Sequence, residues 1–218
     1  MQPDPIRSVE DVRRVSAQPY NRYMAFDHVY DALAASAKLH GERKALTYIT
    51  SPDVDEDARS WTYADFLSHV QRAANLFRSL VPGEVPRIAM LLPAIPEAYF
   101  TLWGGESVGL VCPINYLLDT AHIAELVHAS EANILVALGP NTELDIWSRV
   151  TAIAARSPQL RHILSVGAAP GYKDFSVEVA DPSWEPASFL PGRSANGLVA
   201  LFHTGGTTGA PKLAQHTH

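Results

Sequence analysis

Cysteine is almost missing: Cys112 stands alone among 218 residues. A single thiol excludes an intrachain disulfide and a cysteine-built zinc site, and it fits a reducing compartment such as the cytoplasm. Charge is scarce at 18%, and bases are outnumbered, 17 Lys and Arg against 23 Asp and Glu, for a net charge of −6. No basic face for nucleic acid is expected from that balance. Long apolar runs are missing too. The richest stretch, residues 87–100, is cut by Pro93, Pro96 and Glu97 and falls short of the ~18 uninterrupted residues a membrane span needs. Asp4 and two prolines occupy the N-terminus where an export signal would need a basic start and an apolar run. What remains is 47% hydrophobic, enough to supply the large core of one domain, or of one and a fraction.

Residues 1–22 mix charge and proline without a sustained period and are read as an N-terminal arm. Phe26, Val29, Tyr30, Leu33 and Ala37 form one helical stripe ending near Gly41, and residues 44–50 read as a strand. Residues 51–60, with Asp53, Asp55, Glu56 and Asp57, read as an exposed hairpin or loop. A calcium loop is the sharper alternative, but the twelve-residue ligand spacing, the central glycine and the closing glutamate are missing. Thr62 and Asp65 then form a capping pair, Trp61 and Phe66 a hydrophobic staple, and Phe66, Val70, Ala73, Phe77 and Leu80 one apolar stripe.

An alternation follows: strand 87–92, helix from Pro96, strand 110–112, helix 120–130, strand 134–138, helix 142–156, strand 162–166. Short, continuously apolar strands between helices predict an α/β fold with a doubly wound, mostly parallel sheet covered by helices on both faces. Ligands collect at the carboxyl edge of such sheets. Residues 23–166 are taken as this α/β subdomain. Residues 167–197, rich in Gly, Pro and Ser with Trp184 and Phe189 as apolar anchors, are read as a connection, and residues 198–218 as the start of a second subdomain.

The chemistry concentrates in that last piece. Across residues 198–218 the only Asp, Glu, Lys or Arg is Lys212. Thr204-Gly205-Gly206-Thr207-Thr208-Gly209 offers three glycines that let backbone approach a ligand and three hydroxyls. Successive amides in such a turn suit an anion, and Lys212 supplies the compensating charge. Pro211 biases Ala210 toward extended backbone, so a strand is expected after the loop. The implied device is a phosphate clamp. It is not a Walker loop, because Ala210-Pro211 separates Gly209 from Lys212, and Leu213 stands where a magnesium-binding hydroxyl is required. A plain glycine-threonine hairpin is the bland alternative.

The string Thr204 to Lys212 resembles the phosphate-binding signature of the acyl-adenylate-forming (AMP-binding) superfamily, which includes acyl-CoA synthetases. Trp61-Thr62-Tyr63-Ala64-Asp65 is similar to an early helix start of that family, residues 87–92 to its first sheet strand, and GLVCPINYLL, residues 109–118, to its apolar-Pro-Ile-Asn segment. Three departures stand out: Gly205 replaces the usual Ser, His203 the commoner Tyr or Phe, and Leu213-Ala214 a Gly-Val pair.

The resemblance implies ATP-dependent activation of a small carboxylic acid and transfer of the acyl group to coenzyme A, with ATP, Mg2+ and coenzyme A as cofactors. Thr204, Gly205, Gly206, Thr207, Thr208, Gly209 and Lys212 would hold the β- and γ-phosphates. It also implies that this chain corresponds to an incomplete N-terminal domain, with no catalytic residue of its own, inactive alone and prone to self-association through exposed edges. The rival reading is a non-catalytic or split phosphate-binding module that needs a second chain. Cys112 lacks a basic neighbour and reads as core packing, and Trp103, Trp147 and Trp184 read as core or edge anchors. His203, His216 and His218 are weighed as metal ligands and set aside, since no carboxylate or Cys joins them; His122 and His128 lack the spacing of helical zinc ligands.

Overall fold

The computed structural model describes residues 5–19, 26–50, 58–184, 196–204 and 212–218. The arm is not irregular: it carries helix α1 (Val9–Ser16). Its start is fixed locally, with Ser8 Oγ accepting from the Asp11 N–H at 3.2 Å while the Asp11 carboxylate accepts from the Arg7 N–H at 3.0 Å. None of the helix residues is buried.

Helix α2 (Val29–His40) ends at Gly41, close to the expected bounds. Strands β1 (Lys44–Tyr48) and β2 (Arg59–Thr62) pair antiparallel. The acidic residues 53–57 between them lie outside the described residues. Helix α3 (Tyr63–Leu80) opens on the expected reciprocal cap. Thr62 Oγ1 accepts from the Asp65 N–H at 3.1 Å, and Asp65 Oδ2 accepts from the Thr62 N–H at 3.2 Å. Trp61 and Phe66 both close on the Phe100 ring, at 5.9 and 5.4 Å between centroids.

The alternation that follows is β3 (Arg87–Leu91), α4 (Pro96–Val108), β4 (Leu110–Pro113), α5 (Thr120–Ala129), β5 (Ile134–Leu138), α6 (Val150–Ala155) and β6 (His162–Val166). The helix expected over 142–156 is much shorter. Asn141 Oδ1 accepts from the N–H groups of Glu143 and Leu144 at 2.8 and 3.0 Å, yet the chain beyond does not continue as helix, and only a 3-10 turn (Trp147–Arg149) leads into α6.

The segment read as a connection carries elements of its own. It contributes edge strand β7 (Lys173–Asp174), helix α7 (Phe175–Ala180) and a 3-10 turn (Pro182–Trp184). Asp174 caps α7 by accepting from the Ser176 N–H at 2.9 Å. Phe175 is fully buried and stacks on Phe77 with centroids 5.8 Å apart. Phe189 lies outside the described residues. Strands β8 (Leu198–His203) and β9 (Leu213–Thr217) complete the described chain.

Seven of the described strands form one sheet in the order β7-β6-β5-β3-β4-β8-β9, parallel throughout except for the antiparallel β8–β9 pair. Successive residues of β3 serve opposite faces, as strand geometry requires. Ile88 and Met90 join the cluster built with α3, α4 and α7, whereas Ala89 and Leu91 join the cluster built with α5 and α6. Each large apolar side chain buried this way contributes roughly 1.5–3 kcal/mol. Gly104 lets α4 approach α3: a Cβ there would lie 2.7 Å from the Ala73 Cβ and 3.0 Å from the Val70 carbonyl oxygen.

At the amino edge of the sheet, Arg161 makes a bidentate pair with Glu84, at 2.8 and 2.6 Å, and Arg87 bonds the Ser130 carbonyl. The hollow of about 420 Å³ between these groups is therefore lined by side chains already partnered with one another. The carboxyl edge, opposite, is where open α/β sheets gather ligands.

Candidate phosphate-binding edge

Two loops share that edge. Residues 114–119 follow β4, and residues 204–212 connect β8 to β9. Of the expected clamp, Thr204 and Lys212 are described; Gly205, Gly206, Thr207, Thr208 and Gly209 lie outside the described residues. The two described ends meet, the Thr204 N–H donating to the Lys212 carbonyl at 3.0 Å. Both residues are exposed, so the lysine charge stands at the mouth of the loop rather than in the core. The strand expected after Pro211 is β9.

The loop after β4 is held from several directions. The Ile114 N–H donates to the Met90 carbonyl at 2.9 Å. Asn115 Oδ1 accepts from the Leu117 N–H at 3.0 Å, an Asx turn. Arg149, on the 3-10 turn before α6, donates to the carbonyls of Tyr116 at 2.8 Å and Leu118 at 3.0 Å, and its Nε donates to the Asp145 carbonyl at 3.0 Å. Asp119 then caps α5 by accepting from the His122 N–H at 3.0 Å, and that bond holds its carboxyl below the ordinary value.

The two loops touch through His203. Its Nε2 accepts from the Asn115 N–H at 3.1 Å, which puts the ring proton of the neutral form on Nδ1. Desolvation at the sheet edge, followed by the positive potential of His122, lowers the His203 pKa below its ordinary 6.5. The neutral ring that accepts is thus the favoured form.

The other histidines weighed as metal ligands go elsewhere. His216 packs edge-on against Phe202, with centroids 5.0 Å apart, and His218 against His28 at 4.7 Å. Among the described residues no group of three or more His, Cys, Asp or Glu converges to hold a metal ion. Burial lifts the Cys112 thiol to about 11, which leaves it a packing residue without nucleophilic character. Sequence reasoning missed the roles of Arg149 and Asn115. Nothing in the sequence around Arg149 marks it, whereas Asn115 sits inside the apolar-Pro-Ile-Asn segment.

The class of architecture is an open, mostly parallel α/β sheet whose two carboxyl-edge loops meet through His203 and Asn115. Residues 33–218 match the profile of the AMP-binding enzyme family, and the chain belongs to that family. It is 32% identical to the marinolic acid–CoA ligase of Pseudoalteromonas sp., over 99% of this chain and 33% of the relative. It is 28% identical to a crotonobetaine/carnitine–CoA ligase of Salmonella paratyphi A, over 84% and 35%. The chain thus spans about a third of the length of these relatives.

Solved structures with a similar fold include the following two. The anthranilate CoA ligase AuaEII in complex with anthranoyl-AMP has a TM-score of 0.70 at 20% identity, covering 88% of this chain and 35% of that one. Acetoacetyl-CoA synthetase from Streptomyces lividans has 0.74 at 19%, covering 86% and 30%. The likeness identifies this α/β domain with the N-terminal fold of adenylate-forming enzymes.

Proposed function

We propose that the chain supplies the phosphate-gripping part of an ATP-dependent acid–thiol ligase. In the first half-reaction a carboxylate oxygen of a small acid bonds to the α-phosphorus of ATP and the α–β bridging bond breaks, releasing pyrophosphate. In the second, the coenzyme A sulfur, having lost its proton, bonds to the acyl carbon and AMP leaves. The observation that carries this reading is the loop closed at Thr204 and Lys212 on the carboxyl edge of the sheet.

The chain's own contribution is electrostatic. Backbone amides of residues 205–209 and the Lys212 ammonium would hold the β- and γ-phosphates and stabilise charge gathering on departing pyrophosphate. Preorganised donors of this kind remove several kcal/mol from a barrier. Magnesium would accompany ATP and share the charge on its phosphates; among the described residues no group of three or more His, Cys, Asp or Glu converges. A small carboxylic acid as substrate suits the relatives' acid–CoA ligase chemistry, and the lone buried thiol suits a reducing compartment such as the cytoplasm.

In the full-length ligase, Lys212→Ala should slow acid-dependent exchange of pyrophosphate into ATP at least tenfold more than thiolysis of preformed acyl-adenylate. Equal losses in both half-reactions refute a pyrophosphate role. The 218-residue chain alone should show no exchange, and clear exchange would refute the view that it needs further polypeptide.

A further inference from the structure

The contact between His203 and Asn115 joins segments 88 residues apart and lies where the two carboxyl-edge loops approach each other. His203 is the last residue of β8, so its backbone leads directly into Thr204. Asn115 opens the turn that Arg149 holds by two carbonyls. His203 shares a sheet face with Leu201, which packs in the cluster containing α5, and this is the side from which His122 acts on it.

We propose that His203 is a positioning residue for the phosphate loop. Its Nε2 lone pair fastens the entry of the loop to the Asn115 turn, and through that turn to Arg149, so that Thr204 keeps one position relative to residues 114–119 while a triphosphate binds. This rests on the phosphate-clamp reading of residues 204–212. The geometry separates the role from ordinary structural support. Asn115 is exposed, so water replaces a lost acceptor on its N–H and global stability changes little. What is lost is placement, to which bound-state geometry is far more sensitive.

The test compares His203→Phe, which keeps a ring without an acceptor, with His203→Gln, which keeps an acceptor, in the full-length protein. Nitrogen-15 shifts of the wild-type ring should show unprotonated Nε2 and protonated Nδ1; the opposite tautomer overturns the proposal. In His203→Phe, amide exchange at Asn115 should quicken about tenfold and KM for ATP rise about tenfold, with the thiolysis half-reaction unchanged within about twofold and Tm within about 2 °C. His203→Gln should recover most of both losses.

A faster Asn115 amide with unchanged KM for ATP overturns the positioning role while leaving the contact standing. A fall in Tm with equal loss in both half-reactions assigns a merely structural role and also overturns it. If Lys212→Ala spares adenylation, the clamp reading fails instead, and the Asn115 exchange rates still report whether the contact exists.

Discussion

Glu106 on α4 is 8% exposed, and no cation or hydrogen-bond partner among the described residues offsets its loss of water. Burial alone pushes its carboxyl from the ordinary 4.5 to about 7. Between those values the folded chain keeps a proton that the unfolded chain has released. Stability from this group is therefore complete below pH 4.5 and is lost as pH rises through 7. At 1.36 kcal/mol for each pH unit, the interval from 4.5 to about 7 sets a ceiling of about 3 kcal/mol. Glu106→Gln keeps the shape and removes the titration. Urea unfolding of both proteins, followed by tryptophan fluorescence, should show the variant near wild type at pH 4.5. By pH 8 it should be more stable by about 2–3 kcal/mol. A stability difference that is flat across this range, or that shrinks as pH rises, refutes the reasoning.

Two further substitutions test the scaffold. Thr62→Ala removes one half of the reciprocal cap on α3 and should cost about 1 kcal/mol in urea unfolding, with the m-value unchanged. Gly109→Ala drives a Cβ into the Pro86 carbonyl oxygen where α4 turns into β4. That oxygen also accepts from the Leu110 N–H at 2.9 Å, so backbone has to move, and a loss of about 2 kcal/mol or more is expected. Wild-type stability in this variant would show that the turn is looser than described.

Legibility from sequence followed the range of the interaction. Strands β5 and β6 occur over the same residues that continuous apolar runs predict, and the α3 cap was readable because Thr62 and Asp65 are neighbours in sequence. Short elements escaped. β7 and α7 together span eight residues, Lys173 to Ala180, too few for a period to emerge, and only the burial of Phe175 against Phe77 reveals why they order. α1 escaped because its start depends on Ser8 and Asp11 rather than on an apolar stripe. The helix expected over 142–156 is confined to a 3-10 turn and the six residues of α6, and nothing in the local sequence explains the late start. At the candidate site the long-range partners of the two loops were not legible. Arg149 meets Tyr116 across 33 residues of chain, and no local pattern encodes that pairing.

The reversal from β8 to β9 has an entropic consequence. His203 and Leu213 are ladder partners, so the ends of the intervening excursion are fixed about one strand spacing apart, ~4.8 Å, before any ligand arrives. The cost of closing that ring of chain is already met by folding, and an incoming polyanion has less backbone freedom left to quench. On the proposed clamp reading, part of the affinity for a phosphate tail would thereby be written into the sheet ladder, far from any atom that touches the ligand.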